Sequence, residues 1–340
     1  MKPFPRAGIW IAPALALSLL ASCERAGGSS TRAFRETFSS VAYDSARDVS
    51  VFFGSRRGRR ESVTLEWSGS ALDTRSDSGP PETEGHGVAF DAARSQTVVF
   101  GGFLGNNEFN GETWVWDGTD WTMAAVTGPP GRYSHSMAYD SNRGVVVLFG
   151  GQEIENRKND TWEWDGTSWT QRFSFPAPSL RTRSAMAFDS ARGVTVMFGG
   201  FDSDRDAETW EWAGFGWTLR SDVMTSPPGR YFHAMAYDTA RGVTVLFGGY
   251  TGTFDGETWE YDGTDWTLVA TDGPPARVAH GMAYDDQRGV TVLSGGFNGD
   301  YLDDIWEWDG TTWTERDPDA VPPTNRPPQS ITYQVFFFED

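Results

Sequence analysis

The sequence contains one cysteine and four histidines in 340 residues. A single cysteine excludes an internal disulfide and a zinc site built from cysteine ligands. Positive charge is also scarce, since 28 Lys and Arg stand against 47 Asp and Glu, which gives a net charge of −19. Nucleic-acid binders need a basic stripe that neutralises phosphates, so this balance excludes conventional DNA or RNA recognition. We therefore expect no nucleic-acid partner.

Long hydrophobic runs are missing beyond the first 22 residues. The chain starts with Lys2 and Arg6, and the apolar run of residues 7–20 follows. This run is short, contains a proline and is followed by small residues, which is typical of a signal peptide. The junction L-A-S-C, ending at Cys23, resembles the lipobox of bacterial lipoproteins, whose cysteine becomes the lipidated first residue of the mature chain. An ordinary secreted protein with a chance cysteine is the alternative.

The lipobox resemblance implies a protein anchored in the bacterial cell envelope, either periplasmic or on the cell surface. Residues 1–22 are predicted to be the lipoprotein signal peptide, residues 23–35 a flexible Gly/Ser-rich tether from the lipidated Cys23, and residues 36–340 the folded domain. Several acyl chains anchor stably, because each buried CH₂ contributes ~0.8 kcal/mol. The lipid is the only contact with a membrane that the sequence predicts.

The rest of the chain repeats one unit six times. Strings of the type S-M-A-Y-D end at six aspartates that lie 47 or 49 residues apart: Asp44, Asp91, Asp140, Asp189, Asp238 and Asp285. An arginine stands three residues after each aspartate, an apolar run ending in Gly-Gly follows in five units, and a segment such as T-W-E-W-D-G-T-S-W-T comes next. Every tryptophan beyond the leader falls on three positions of that last segment.

Each unit reads as four strands, which we call A to D. Strand A is the S-M-A-Y-D string, strand B the apolar run, strand C the T-W-E-W-D segment, and strand D begins at the last tryptophan. Strand B is apolar at consecutive positions, so both of its faces are buried. A two-layer sandwich would show apolar and polar residues in alternation. Four-stranded sheets stacked around an axis bury both faces, and this pattern predicts a β-propeller.

These motifs resemble those of the kelch-repeat family in its bacterial secreted form. The resemblance rests on the Gly-Gly pair ending strand B, the aromatic residue of strand C two residues before Asp-Gly, and the tryptophan opening strand D, and it covers residues 36–318. It implies an all-β, six-bladed β-propeller of four-stranded antiparallel blades with strand A innermost. Two units depart from the pattern, with Leu65 and Leu72 in unit 1 and residues 213–216 in place of Asp-Gly-Thr in unit 4.

A further strand A is predicted at the C-terminus. Arg326, residues 330–333 and Gln334 repeat its spacing, with Gln334 lying 49 residues after Asp285. In a six-bladed ring this strand completes or reinforces blade 1. A seven-bladed ring is the alternative, but it needs strands C and D from residues 24–38, which carry neither signature. We therefore favour six blades.

The loops divide between two faces of the predicted ring. Antiparallel connectivity places the A–B and C–D turns at one face and the B–C and D–A loops at the other. The turns are nearly identical between units, whereas the B–C loops differ: residues 103–111, 152–159, 201–207, 250–256 and 297–303. Variable loops on a uniform scaffold usually carry function, so the B–C/D–A face is the candidate binding face.

Two sets of residues on that face are candidates for ligand binding. The first is an arginine eight residues before the strand-A aspartate: Arg132, Arg181, Arg230 and Arg277. A ring of guanidinium groups could hold a carboxylate or a phosphate, or each could pair with an acidic neighbour in its own loop. The second is the aromatic residue after Gly-Gly, which could stack on a sugar or pack beside the glycines: Phe103, Phe201, Tyr250 and Phe297.

All four histidines occupy one repeat position, five residues before the aspartate: His86, His135, His233 and His280. Such symmetry indicates a scaffold role, and a metal ring would require the starts of strand A to meet at the axis. The acidic loop residues lack the Asp-x-Asp-x-Asp-Gly spacing of a strong calcium site. We predict no metal and no cofactor.

The sequence favours a binding module over an enzyme. It contains no nucleophile elbow, no H-E-x-x-H and no phosphate-binding glycine loop before a helix, so no catalytic residue is assigned. The favoured function is a membrane-tethered, non-catalytic module, expected to be a monomer, that presents its B–C and D–A loops to a protein or glycan. The alternative is an isomerase or lyase acting on an acidic sugar, whose carboxylate the arginine ring would hold.

Overall fold

A computed structural model describes residues 35–56, 62–154, 156–317 and 330–331. The predicted signal peptide, Cys23 and the tether up to residue 34 lie outside the described residues, as do Arg326 and Gln334. Within the described ranges the secondary structure consists of strands and turns, without an α-helix. Accordingly, this part of the chain has no helix with the length and apolarity needed to span a bilayer.

Six sheets are formed by strands that follow one another along the chain. Those of blades 1 and 2 are β1 (Arg35–Asp44), β2 (Val49–Arg56), β3 (Ser62–Trp67), β4 (Leu72–Ser76), β5 (Gly87–Asp91), β6 (Gln96–Phe100), the loop hairpin β7 (Phe103–Gly105) and β8 (Glu108–Phe109), β9 (Thr113–Trp116) and β10 (Trp121–Ala125). Those of blades 3 and 4 are β11 (Ser136–Asp140), β12 (Val145–Phe149), the loop hairpin β13 (Gln152–Glu153) and β14 (Asn156–Arg157), β15 (Thr161–Trp164), β16 (Trp169–Arg172), β17 (Ala185–Asp189), β18 (Val194–Phe198), β19 (Thr209–Trp212) and β20 (Trp217–Leu219). Those of blades 5 and 6, with one C-terminal strand, are β21 (Ala234–Asp238), β22 (Val243–Phe247), β23 (Thr258–Tyr261), β24 (Trp266–Ala270), β25 (Gly281–Asp285), β26 (Val290–Ser294), β27 (Ile305–Trp308), β28 (Trp313–Arg316) and β29 (Ser330–Ile331).

The prediction of a six-bladed propeller with four-stranded antiparallel blades is confirmed. The strands A to D of each blade have the spatial order A-B-C-D, as in β11-β12-β15-β16, and the pairs among these four are antiparallel. Neighbouring blades meet through their A strands, since β1, β5, β11, β17, β21 and β25 contact one another in turn and β25 contacts β1. Strand A is therefore innermost, and the ring closes between blades 6 and 1.

Strand B carries the core because it lies between two other blades. In blade 3, Val146, Val147, Leu148 and Phe149 have no accessible surface. Leu148 packs toward blade 2 and Val147 toward blade 4, so alternate side chains serve different interfaces. Burying such a side chain stabilises the fold by about 1.5–3 kcal/mol. This two-sided burial is why the strand has no polar face in the sequence.

Tryptophans at two of the three repeat positions bond neighbouring blades to each other. The indole Nε1 of Trp169, in strand D of blade 3, donates to Thr113 Oγ1 of blade 2 at 2.7 Å. The indole of Trp212, in strand C of blade 4, donates to the Glu163 carboxylate of blade 3 at 3.0 Å. Buried indoles need an acceptor, and for these two tryptophans the adjacent blade supplies one. These indole hydrogen bonds therefore link adjacent blades of the propeller.

The unit-1 departures mark the junction between blades 6 and 1. Where other blades pair a strand-D tryptophan with a threonine, this junction has Leu72 and Ile305, which are buried in one cluster. Both members of the polar pair are replaced together, so neither is left without its partner. Trp67 keeps the other link and donates to Glu307 of blade 6 at 3.2 Å. Apolar packing and one indole hydrogen bond therefore connect blade 6 to blade 1.

The C-terminal strand β29 reinforces blade 1 as a fifth strand. It runs parallel to β1, with Ser330 opposite Arg35 and Ile331 opposite Glu36. Blade 1 has all four of its own strands, so the C-terminus adds to this blade and does not complete it.

Candidate functional site at the channel mouth

The central channel opens into a cavity at each face of the ring. The cavity at the B–C/D–A face has a volume of 210 Å³ and is lined by the starts of the A strands and the loops before them. The cavity at the opposite face has a volume of 330 Å³. One ring of side chains lines both cavities and separates them: Val41, Val88, Met137, Met186, Met235 and Met282.

A collar of backbone hydrogen bonds forms the mouth of the 210 Å³ cavity. It consists of the residue six positions before the strand-A aspartate in blades 2 to 6: Gly85, Ser134, Arg183, Phe232 and Ala279. The amides of the last four each donate to the carbonyl of the preceding blade's collar residue, at 2.7, 2.8, 3.0 and 2.9 Å from blade 3 to blade 6. All five have positive φ, between 52° and 64°. The blades are thereby joined at the mouth without any side chain.

The collar residues share one backbone conformation but carry different side chains. Because the inter-blade bonds accompany the same backbone conformation in blades 2 to 6, the side chain can change without altering the collar. The structure uses that freedom, since the five positions carry hydrogen, hydroxymethyl, guanidinium, benzyl and methyl groups, and all five line the cavity. Holding a non-glycine residue at positive φ is costly, which makes the shared conformation a built feature.

The four predicted arginines lie inside the scaffold, not in the cavity. Their side chains have no exposed surface, and each is ion-paired with the loop before strand C of its own blade. Arg132, for example, bonds both carboxylate oxygens of Asp160, at 2.5 and 2.9 Å, and the carbonyl of Gly150 at 2.9 Å. The structure thus shows the pairing alternative, and none of Arg132, Arg181, Arg230 and Arg277 reaches a ligand in this conformation.

The four histidines are packed between neighbouring blades. Each is 4–7% exposed and packs edge-on against the last phenylalanine of the preceding strand B, as His135 does on Phe100 at 5.5 Å. Burial lowers the pKa of His86 to about 4 and of His135 and His233 to about 3, and lowers that of His280 as well. All four are therefore neutral at pH 7. Within the described residues, no group of three or more His, Cys, Asp and Glu could hold a metal ion.

The aromatic residues after Gly-Gly tie each B–C loop to the D–A loop of the same blade. Phe103, Phe201, Tyr250 and Phe297 each form a β-bridge with the residue seven positions before the strand-A aspartate. Only Phe103 lines the 210 Å³ cavity. The others pack among loop aromatics, as Phe297 does on Tyr301 at 5.0 Å. Their sugar-stacking role stays a prediction.

Glu84 is a carboxylate beside the mouth that sequence reasoning overlooked. It lines the cavity directly before the collar, where the other described blades carry Tyr133, Thr182, Tyr231 and Val278. Burial, together with the nearby Glu82, raises the pKa of Glu84 to about 7. Its side chain makes no ion pair or hydrogen bond with any described residue. The available signal was positional, because Glu84 and the collar stand where the repeats disagree.

Comparison with known proteins agrees with this architecture. Residues 59–213 match a protein-family model described as the KLHDC2/KLHL20/DRC7 Kelch-repeats domain, and the match extends from blade 1 into blade 4. The match and the six blades together support the kelch-repeat family. Kelch propellers are commonly protein-binding modules, which is consistent with non-catalytic binding. No curated protein sequence matches the chain significantly.

Proposed function

We propose that this chain is a non-catalytic module that binds a partner protein at the B–C/D–A face, with the channel mouth as the centre of the contact. The observation that carries the proposal is the collar, whose backbone is uniform and whose five side chains differ around one cavity. A scaffold with variable groups at an open concave site is the usual arrangement for recognition. The opposite mouth carries the near-identical A–B turns and offers less for discrimination.

The acidic-sugar alternative is not carried forward. It required the guanidinium groups of Arg132 and its three equivalents to face a ligand, and these groups are instead buried in ion pairs. A glycan partner differs from a protein partner in the result of a binding screen, so a glycan array is part of the test. If the screen finds a glycan that binds and no protein that binds, the protein assignment is overturned.

Replacing three collar side chains by alanine is expected to weaken binding of the partner protein. The variant Ser134→Ala, Arg183→Ala and Phe232→Ala removes three different side chains and keeps the collar backbone, because Ala279 shows that alanine adopts the same φ of about 52°. We expect at least a tenfold weaker interaction with any protein recovered by crosslinking and confirmed with purified components. The measurement is the dissociation constant by biolayer interferometry.

The matched control lies at the opposite mouth. Ser141, Ser190 and Thr239 line the 330 Å³ cavity at equivalent positions in blades 3 to 5, and changing them to alanine alters the same number of side chains at the other mouth. This control is expected to bind the partner normally. Loss of binding in the control with retention in the collar variant would place the contact on the wrong face and refute the proposal.

The cellular address is a separate proposal, supported by the sequence at residues 1–23. We infer that Cys23 is lipidated and holds the propeller at the bacterial envelope, in the periplasm or on the cell surface. Expressed in bacteria, the chain is expected to partition with membranes and to start at a diacylglyceryl cysteine by mass spectrometry. Cys23→Ser should release it to the soluble fraction. An unmodified mature N-terminus at another residue would contradict the lipid anchor.

A further inference from the structure

A glutamate of strand C joins neighbouring blades at five of the six junctions. The five glutamates occupy one repeat position: Glu66, Glu163, Glu211, Glu260 and Glu307. In each, Oε1 accepts from the arginine of the A–B turn of the same blade and from an indole or phenol of the next blade. In blade 5, Arg241 Nη1 and Trp308 Nε1 donate to Glu260 Oε1 at 2.6 and 3.0 Å. One carboxylate oxygen thus satisfies a cation and a buried donor from two blades.

The junction of blades 2 and 3 has no such carboxylate. Val115 occupies the glutamate position in the register of strands B and C. Val115 and Trp164 of blade 3 belong to one buried cluster, and only 1% of the surface of Trp164 is exposed. The indole Nε1 of Trp164 has no hydrogen-bond acceptor among the described residues. A buried donor without an acceptor is costly, so a group that accepts from this indole would bind favourably.

The arginine of the blade 2 A–B turn has donors that its equivalents use for the glutamate. Arg94 Nη1 bonds the buried Asp91 carboxylate at 2.7 Å and the Gly144 carbonyl of blade 3 at 3.1 Å. Its Nε and Nη2 donate no hydrogen bond within the described part of the chain. Asp165, in the exposed C–D turn of blade 3, is a second acidic group that interacts electrostatically with Arg94. The Arg94 side chain is 36% exposed, against 27–30% for the other five.

Arg94 lies beside the segment of blade 3 that carries the Trp164 indole. A Cβ built on Gly166, two residues after Trp164, would overlap the Arg94 side chain. The equivalent glycine of blade 6, Gly310, faces Arg241 in the same way, and there the arginine and the next indole share one acceptor oxygen. The C–D turn of blade 3 therefore holds the cation of blade 2 near its own indole.

Blade 5 shows that such a junction accommodates one more negative charge than blade 2 now has. In blade 5 one arginine serves two carboxylates, those of Asp238 and Glu260. Its strand D has Val269 where four other blades have a second arginine bonded to the glutamate, and blade 2 has Ala124 there. An added carboxylate in blade 2 would therefore reproduce the charge balance of blade 5.

We propose that the junction of blades 2 and 3 binds a small carboxylate anion, with one oxygen held by Trp164 Nε1 and Arg94. The indole and the guanidinium are both donors, and the guanidinium selects a negatively charged acceptor. The valine side chain is two atoms smaller than that of glutamate, so a ligand the size of formate or acetate supplies the group that Val115 lacks. The partly exposed Arg94 gives access from the A–B turn. This is the face opposite the collar, so the inference goes beyond the proposed function and is independent of it.

The test follows the indole N–H signal of Trp164 by NMR in the full-length chain labelled with ¹⁵N tryptophan. The variant Trp164→Phe assigns the signal. Sodium formate is expected to shift it downfield and saturably, because hydrogen bonding deshields the proton. A dissociation constant on the order of 1–10 mM is expected, since a ligand with so few atoms gains limited free energy. Formamide, a neutral isostere of formate, and sodium chloride at the same ionic strength should cause no saturable shift.

A further probe identifies the source of the carboxylate. N-acetylglycine resembles the C-terminus of a peptide, whereas acetate is a free small acid. If N-acetylglycine shifts the Trp164 signal as readily as acetate does, the carboxyl group of a protein chain fits the site. If only formate and acetate shift the signal, the ligand is a free small acid.

Two substitutions exchange the roles of blades 2 and 5. Val115→Glu supplies the carboxylate covalently, so formate should no longer shift the Trp164 signal. Glu260→Val leaves Trp308 Nε1 and Arg241 in the arrangement of blade 2. The Trp308 signal should then respond to formate, whereas in the unchanged chain Glu260 already accepts from it.

Three results would overturn the inference. The Trp164 signal does not respond to formate, it responds equally to chloride or formamide, or its response survives Val115→Glu. In the first case a neutral acceptor such as water satisfies the indole. Circular dichroism verifies the folding of each variant, and Val115→Glu keeps the test decisive if Glu260→Val fails to fold. None of these results bears on partner binding at the collar.

Discussion

Replacing Arg132 by methionine is expected to lower the free energy of unfolding by about 3–5 kcal/mol, because it leaves a partly buried carboxylate without its cation. Arg132 has no exposed surface, and its partner Asp160 is 19% exposed. The substitution also removes the donor to the Gly150 carbonyl. Methionine keeps most of the volume, so the cost is electrostatic. Urea unfolding followed by tryptophan fluorescence measures it.

The control for this prediction lies in the same blade. Arg172 is 46% exposed and bonds Glu163, which keeps Arg143 as a second partner. Exposed pairs contribute about 0–1 kcal/mol, so Arg172→Met should cost little. Binding per folded molecule should be unchanged in both variants, since neither guanidinium reaches the cavity. An equal, small cost for Arg132→Met would contradict the scaffold role that the structure assigns to this residue.

The arginines also show where sequence reasoning ended. Their repeat position and their face were visible in the periodicity, because strands of equal length place equivalent residues at equivalent heights. The direction of the side chain was not, since the acceptors of Arg132 lie 18 and 28 residues further along the chain. Two readings of the same spacing, a ligand ring and a row of internal ion pairs, differ only in that direction.

The collar was beyond prediction for another reason. A positive φ at Ser134, Arg183, Phe232 and Ala279 opposes the local preference of each residue. It is imposed by a hydrogen bond to the neighbouring blade, about 49 residues away, which exists only in the closed ring. The pair Leu72 and Ile305 is similar, because its members meet only when blade 6 reaches blade 1. The six blades followed from the repeat, whereas the site depends on what the ring brings together.

Acidification from pH 7 to pH 5 is expected to unfold or severely destabilise the propeller. The four histidines have folded pKa values below their ordinary value of 6.5, so the unfolded chain binds protons that the folded chain cannot. Their stabilisation is complete above pH 6.5 and is lost as the pH falls, by up to about 1.4 kcal/mol per histidine per pH unit. Four such losses are comparable with the whole stability of a typical domain, about 5–15 kcal/mol.

Glu84 acts in the opposite sense, which makes the test specific. Its pKa of about 7 lies above the ordinary 4.5, so the folded state takes up this proton first and gains stability as the pH falls between these values. The stability gained by protonating one carboxyl offsets only part of the stability lost through four imidazoles. The variant His135→Ser with His233→Ser copies Ser184 of blade 4. Urea unfolding at pH 7, 6 and 5 should show it less stable at pH 7 but with about half the wild-type pH slope. An unchanged slope would mean that other groups control acid unfolding, and that folding does not lower the pKa values of these two histidines.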